Sequence, residues 1–493
     1  MRAHASSFVV CSCASLTVAV MLGSQPAAAQ TPREIVARAV TAMGGETALR
    51  GAGAVQLDFH SATFAIGQEE TPESPARATV AYGRIVTDWR GSRRVVTQEV
   101  RPVAAAPQRQ RRITAGGIGM LETDGRQQPD APGAVAAAER AMRLSPERLL
   151  LTALDNPAAL SSVPAKEVRG EPAPGVRFPL GPDTLRLYFD RRTGFLLATE
   201  VITDDGVLGD RSTATWYTRW QDAGGIQLPR QVDVTANGRL QSHTVYTAAA
   251  VPASVDQQAF VIPDSIASRA QRAPAAPAPP TIVVQLVELA PGVWRAEGGS
   301  HHSLVVEQPQ QLVVVEGPQT SQRSQAVMDT LRARFPNKRI GLLVSTHHHW
   351  DHSGGLRGYL AAGVPVLTHA RNVAFVRGIS AAQKTVAPDA LSRNPRPPDV
   401  RAVEDSLTIG EGTSRVVIYR IPTAHVEGML GAYVPAARLL FVSDVLTPGP
   451  TLAPAGSAEV AAAARRWNIT VDRVVGGHGG IATWQQIEAA GRN

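Results

Sequence analysis

Residues 345–355 read STHHHWDHSGG, which puts four histidines and an aspartate into positions 347–352, directly ahead of two glycines. A packed core has no use for that many imidazoles beside a carboxylate, because each would need its own hydrogen-bonding partner. A metal site uses all of them. In an extended segment, residues two apart point the same way, so His347 and His349 can share one cation. Asp351 and His352, a step further round the turn, can face a second. The apolar run RIGLLVS precedes the cluster, and Gly354 and Gly355 let the backbone turn tightly into a following helix. The chain is therefore constrained to a strand, a ligand-bearing loop and a helix, in that order.

Further ligands stand at the ends of later strand patterns. Nine of the twelve histidines lie in the C-terminal half. His425 follows VVIYRI, Asp444 ends RLLFVSD and His478 follows DRVVGG. Loops at strand ends are where sites on packed sheets are built. The only cysteines, Cys11 and Cys13, fall in the first 29 residues. That stretch has the pattern of an export signal: Arg2, an apolar region from Phe8 to Leu22, and small residues before a cut ahead of Gln30. A mature chain starting there has no thiolate to offer, so nitrogen and oxygen must hold any metal. A periplasmic or secreted location is expected, with no transmembrane span in the mature chain.

Two domains are expected in 493 residues. Residues 31–265 open with a capping box at Thr31 and Glu34 and continue as alternating, β-branched segments, the pattern of an α+β, mostly antiparallel domain. Residues 268–280, SRAQRAPAAPAPP, read as an extended Pro/Ala linker. From 281 to 493, four short strand patterns are followed by strand–helix alternation, which suggests an α/β core of two sheets with helices outside. Residues 371–415 interrupt that pattern and read as a flap. The net charge of +7 is almost all arginine, scattered and without interleaved aromatics. That is a solvated surface, and no nucleic-acid partner is expected.

The ordered set His347-x-His349-x-Asp351-His352, His425, Asp444, His478 resembles the metallo-β-lactamase superfamily, in particular its dinuclear, glyoxalase-II-like branch, over residues 283–490. The resemblance implies an αββα sandwich and two Zn2+. His347, His349 and His425 would hold one ion, Asp351, His352 and His478 the other, and Asp444 would bridge them. Manganese or iron accept the same donors. Glu316 stands where the family often has an aspartate. Glu316 and Ser345 are candidates to support the ligands through hydrogen bonds, and His302 and His348 are candidates to contact substrate. In the N-terminal half, the opening AMGGETALRG, the hairpin YFDRRTGFLLATEV and the later GIQLPRQVDV resemble in pattern periplasmic lipoprotein-carrier domains, which implies a lipid or acyl ligand there; a structural or docking role is the alternative.

The implied activity is hydrolysis of a small-molecule ester, lactone, thioester or amide. A hydroxide shared by the metals would attack the carbonyl, with Asp351 orienting it. Three alternatives accompany this expectation: a β-lactamase, an iron-dependent persulfide-dioxygenase-type enzyme, and a hydrophobic-ligand or partner-binding protein with a vestigial site.

Overall fold

The computed structural model describes residues 30–103, 105–272 and 282–492. The expected export segment and residues 273–280 of the expected linker lie outside them. Among the described residues, no helix is long and apolar enough to cross a membrane.

The N-terminal half is a 13-stranded antiparallel sheet with a few helices packed on it. Its first strand, Ala54–Phe64, pairs with both Ala78–Asp88 and the last strand, Arg239–Ala250, so the sheet's first and last strands in sequence meet mid-sheet. Helix Pro32–Ala42 is closed by the expected capping box. The Thr31 amide donates to Glu34 Oε2 (2.8 Å) and the Glu34 amide to Thr31 Oγ1 (3.3 Å). Its Val36, Ala39 and Val40, with Leu149 and Leu150 of helix Pro146–Asp155, bury against Val176, Leu185, Leu187 and Leu196 of the sheet.

The expected linker needs one correction. Residues 268–272 are not extended; they complete helix Asp264–Arg272. Ala, Arg and Gln favour a helix, Ile266 anchors it in a cluster with Val95, Ile113 and Met120, and the first proline of the stretch comes only at Pro274.

The C-terminal half has four layers. One seven-stranded sheet begins as an antiparallel meander, Gln285–Ala290, Val293–Glu297, Ser303–Glu307 and Gln311–Val315. It continues in parallel through Arg339–Ser345, Val366–His369 and Val400–Val403. A six-stranded sheet faces it, built from Ser406–Ile409, Val416–Arg420, Leu430–Val434, Leu439–Ser443, Arg473–Gly476 and Ile481–Thr483. Strand side chains alternate between two buried faces, so these strands read as continuous apolar runs. Val313 and Val315 pack between the sheets against Ile418 and Phe441, while Leu312 and Val314 face helix Ser321–Arg334 outside. Helix Pro454–Arg466 covers the other sheet through Val460 and Ala464.

The segment 371–415 is framework rather than a flap. It holds helix Val373–Ala381, the edge strand Val400–Val403 and the first strand of the second sheet. Strands of only four residues leave too little periodicity to read in sequence.

Candidate metal centre

The ligand-type residues leave the sheets along one edge. Positions 347–352 follow Arg339–Ser345, His425 follows Val416–Arg420, Asp444 directly follows Leu439–Ser443, and His478 follows Arg473–Gly476. His349 caps a short helix, Trp350–Ser353, whose first turn presents Asp351 and His352. The two glycines serve differently from the expectation. Both have right-handed helical backbones, so left-handed freedom is not used. What matters is the missing side chain: a Cβ on Gly354 would lie 2.2 Å from the Gln319 carbonyl, and one on Gly355 2.8 Å from that of Gly317.

Two groups of donors converge. His347, His349, His425 and Asp444 offer atoms within 4.8 Å of one another, and so do His301, Asp351, His352 and His478. Asp444 lies between the groups: Oδ2 is 3.5 Å from His425 Nε2, while Oδ1 is 3.0 Å from His352 Nε2 and 3.3 Å from His478 Nε2. His301 was not foreseen. The adjacent His302 turns its Nε2 onto the Gly479 carbonyl (3.0 Å), away from the groups. His301 Nε2 instead lies 3.3 Å from Asp351 Oδ2. The doublet at a strand entry was the available signal, since neighbours in extended chain face opposite ways and one of two histidines must face inward.

Burial makes these donors good ligands. His347 Nε2, His349 Nδ1 and His425 Nε2 are buried and lack any hydrogen-bond partner. Unsatisfied buried groups cost about 1–3 kcal/mol each, so three that converge on one point fit a cation. The all-nitrogen-and-oxygen set suits zinc, manganese or iron. Burial, followed by the neighbouring imidazoles, pushes His347 well below the ordinary histidine range and His425 down to about 4. Both are thus neutral, with a lone pair free, at physiological pH.

Burial also opposes charge on His352, but Glu316 and Asp444 outweigh it and hold this imidazole well above the ordinary value. Burial would likewise raise Asp351, yet its hydrogen bond with His301 and the nearby His352 bring it below the usual carboxylate range.

Glu316 is fully buried and organises the ligands. Its Oε2 accepts from His352 Nδ1 (2.9 Å); its Oε1 accepts from the Thr346 hydroxyl (2.7 Å) and from that of Ser443. Thr346 Oγ1 also stands 3.0 Å from His347 Nδ1. The longer side chain thus reaches what a shorter one would have to approach more closely. Glu316 and Ser443 both hold left-handed backbones, φ 75° and 51°. Such strain costs about 1–3 kcal/mol per residue and gathers at functional sites. Ser345 does not reach an imidazole among the described residues; its carbonyl accepts from Thr368 Oγ1 instead. His348 is buried outside both groups, edge-on to Phe375 at 5.9 Å.

Residues 296–478 match the metallo-beta-lactamase superfamily. The C-terminal domain has the metallo-β-lactamase fold, and its ligand-type residues form groups able to hold a metal. A curated relative, the 2,4-dinitroanisole O-demethylase subunit alpha of Nocardioides sp. (strain JS1661), is 24% identical over 159 residues, 32% of this chain. The match spans only 45% of that relative's length. Similar solved structures include a metallo-beta-lactamase from Pontibacter korlensis, 16% identical with a TM-score of 0.34, covering 42% of this chain and 97% of that one. Another is the metallo-beta-lactamase from Hirschia baltica, 19% identical with a TM-score of 0.33, covering 43% and 97%.

Proposed function

We propose that the protein is an exported, dinuclear zinc hydrolase acting on the carbonyl of a small ester, lactone, thioester or amide. The observation that carries this reading is the convergence of two donor groups around Asp444, with three buried ring nitrogens left without partners. His347, His349 and His425 would hold one ion, His301, Asp351, His352 and His478 the other, with Asp444 shared. The ions, when bound, would supply a water whose pKa is lowered to about 7 and polarise the substrate oxygen.

The chain's own residues do the rest. Asp351 orients the attacking water through its carboxylate. Glu316 keeps the proton of His352 on Nδ1, so that Nε2 is presented to the site. The buried walls exclude bulk water and strengthen every charge–dipole contact inside.

We place a second ligand in the N-terminal sheet. A cavity of about 280 Å³ there is lined by Val55, Leu57, Ile85 and Trp89, with Arg94 on its wall. Arg94 Nε is buried without a partner, which suits an acyl chain ending in an anionic group.

The test is metal analysis of the purified protein together with a panel of chromogenic esters, lactones, thioesters, amides and a β-lactam. 2,4-Dinitroanisole is added because of the curated relative's named activity. Two zincs per chain and turnover abolished by Asp351→Ala support the reading. Equal activity in that variant removes the mechanism, and one iron per chain redirects it to oxygenase chemistry. A mature N-terminus at Gln30 supports export; a retained Met1 refutes the expected cleavage.

A further inference from the structure

The strands Ala54–Phe64 and Ala78–Asp88 form a hairpin whose last pair is Phe64 with Ala78. Ordinary hairpins close in about two to five residues. Here residues 65–77 intervene, and they do not stay on their own domain. The Gly67 carbonyl accepts from the Trp350 amide (3.2 Å), and the Glu70 carbonyl from the Glu427 amide (2.9 Å). Arg77 donates to the carbonyl of His425 itself (2.8 Å). Two contacts go directly to ligand side chains. His349 Nε2 lies 2.9 Å from the Glu69 carbonyl, and the Gln68 amide donates to Asp351 Oδ1 (2.9 Å).

The loop is built for this position. The Glu69 carboxylate is buried, accepts from the Gly67 amide (2.8 Å) and pairs with Arg239. Gly67 has φ 87°, and a Cβ there would lie 2.3 Å from the Trp350 ring, so only glycine permits the approach. A second contact bolts the domains together: Val207, at the tip of the hairpin between Leu196–Asp205 and Gly209–Asp222, packs into the C-terminal core.

We infer that loop 65–77 of the N-terminal domain is a working part of the metal centre, with Glu69 and Gln68 as positioning residues for His349 and Asp351. A carbonyl cannot donate, so the Glu69 oxygen fixes the His349 proton on Nε2. That leaves Nδ1, the atom without a partner, as the lone pair offered to the cation. Gln68 holds Oδ1 of Asp351 and thereby turns Oδ2 toward His301 and His352. The N-terminal sheet therefore contributes to ligand geometry in the catalytic domain, and the two halves form one functional unit. This inference rests on the site being a metal centre, not on the reaction proposed above.

The test is zinc binding by the full-length chain, read by competition with a chromophoric chelator, together with the visible spectrum of the cobalt-substituted protein. Arg239→Met frees the buried Glu69, and Gly67→Ala pushes the loop off Trp350. Each is expected to weaken the zinc held by His347, His349 and His425 by about 10- to 100-fold and to change the cobalt spectrum, with Arg239→Lys restoring the parent values. Gln68→Ala, a milder change on a half-buried side chain, is expected to weaken only the other zinc. If all three variants bind both zincs within twofold of the parent while melting earlier, the loop merely braces the domains and the inference is overturned. A parent chain that binds no zinc overturns it as well. Zinc binding that responds as expected in a protein inert toward the whole substrate panel upholds this inference and sinks the proposed reaction.

Discussion

Replacing Glu316 by glutamine is the sharpest probe of how the fold prepares the second donor group. Glu316 is fully buried and accepts from three side chains. The amide oxygen of glutamine still accepts from Thr346 and Ser443. Its NH2 group then faces His352 Nδ1, and two donors cannot share a contact. In that orientation His352 moves its proton to Nε2, the atom 3.0 Å from Asp444 and 3.2 Å from His478 Nε2, and is lost as a ligand; turning the amide round to spare His352 would set its NH2 against the Thr346 and Ser443 hydroxyls, which now donate to Glu316. Loss of a supporting partner costs about 10- to 100-fold in metal affinity, or about 1.4–2.8 kcal/mol. The zinc held by His301, Asp351, His352 and His478 should weaken by that factor, while the one held by His347, His349 and His425 stays within about threefold. In the metal-free protein, loss of a hydrogen bond to a charged group adds about 1.5–3 kcal/mol of destabilisation at neutral pH.

The sign with pH follows from His352. Its folded pKa is raised, so the contribution of the pair is complete below the unfolded value of about 6.5 and fades as pH climbs through the folded value. The stability gap between parent and Glu316→Gln should therefore narrow in alkaline solution. Zinc competition titrations and urea denaturation from pH 6 to 10 measure both effects. Equal zinc affinities at both sites, or a gap that widens with pH, would refute the tautomer argument.

Three further outcomes are expected. His301→Ala should weaken the second zinc in a competition titration, whereas His302→Ala, whose ring is tied to the Gly479 carbonyl, should leave both zincs within twofold of the parent. Asp389→Asn strips the nearly buried Arg357 of its bidentate partner, costing about 3–5 kcal/mol in urea denaturation. Burial works to raise the Asp389 carboxyl, but Arg357 outweighs it and holds it below its ordinary 3.8; the parent's advantage is thus full above that pH and closes as pH falls further. Chelation of the zinc-loaded protein should lower its melting temperature, because free zinc at about 100 times its dissociation constant stabilises by about 2.7 kcal/mol. An unchanged melting temperature would show that the donor groups are not filled.

The sequence by itself determined the candidate ligands whose pattern is local. Four of them lie in positions 347–352, and period-two geometry divides that run between two donor groups. The run of strand patterns followed by strand–helix alternation likewise gave the two-sheet core with helices outside. His425, Asp444 and His478 were legible as strand-end residues, but their convergence depends on parallel pairing of Leu439–Ser443 with Arg473–Gly476, which no local pattern encodes. Only the tertiary structure chose His301 over His302, since the alternation says that one faces inward and not which. Only it gave Thr346 and Ser443 the supporting role over Ser345, in Ser443 through a left-handed backbone that a propensity cannot supply. Nothing in the composition of residues 65–77 marks Gln68 and Glu69: one acts through an ordinary amide and the other through its main chain, and a backbone carbonyl leaves no trace in the identity of the residue that carries it.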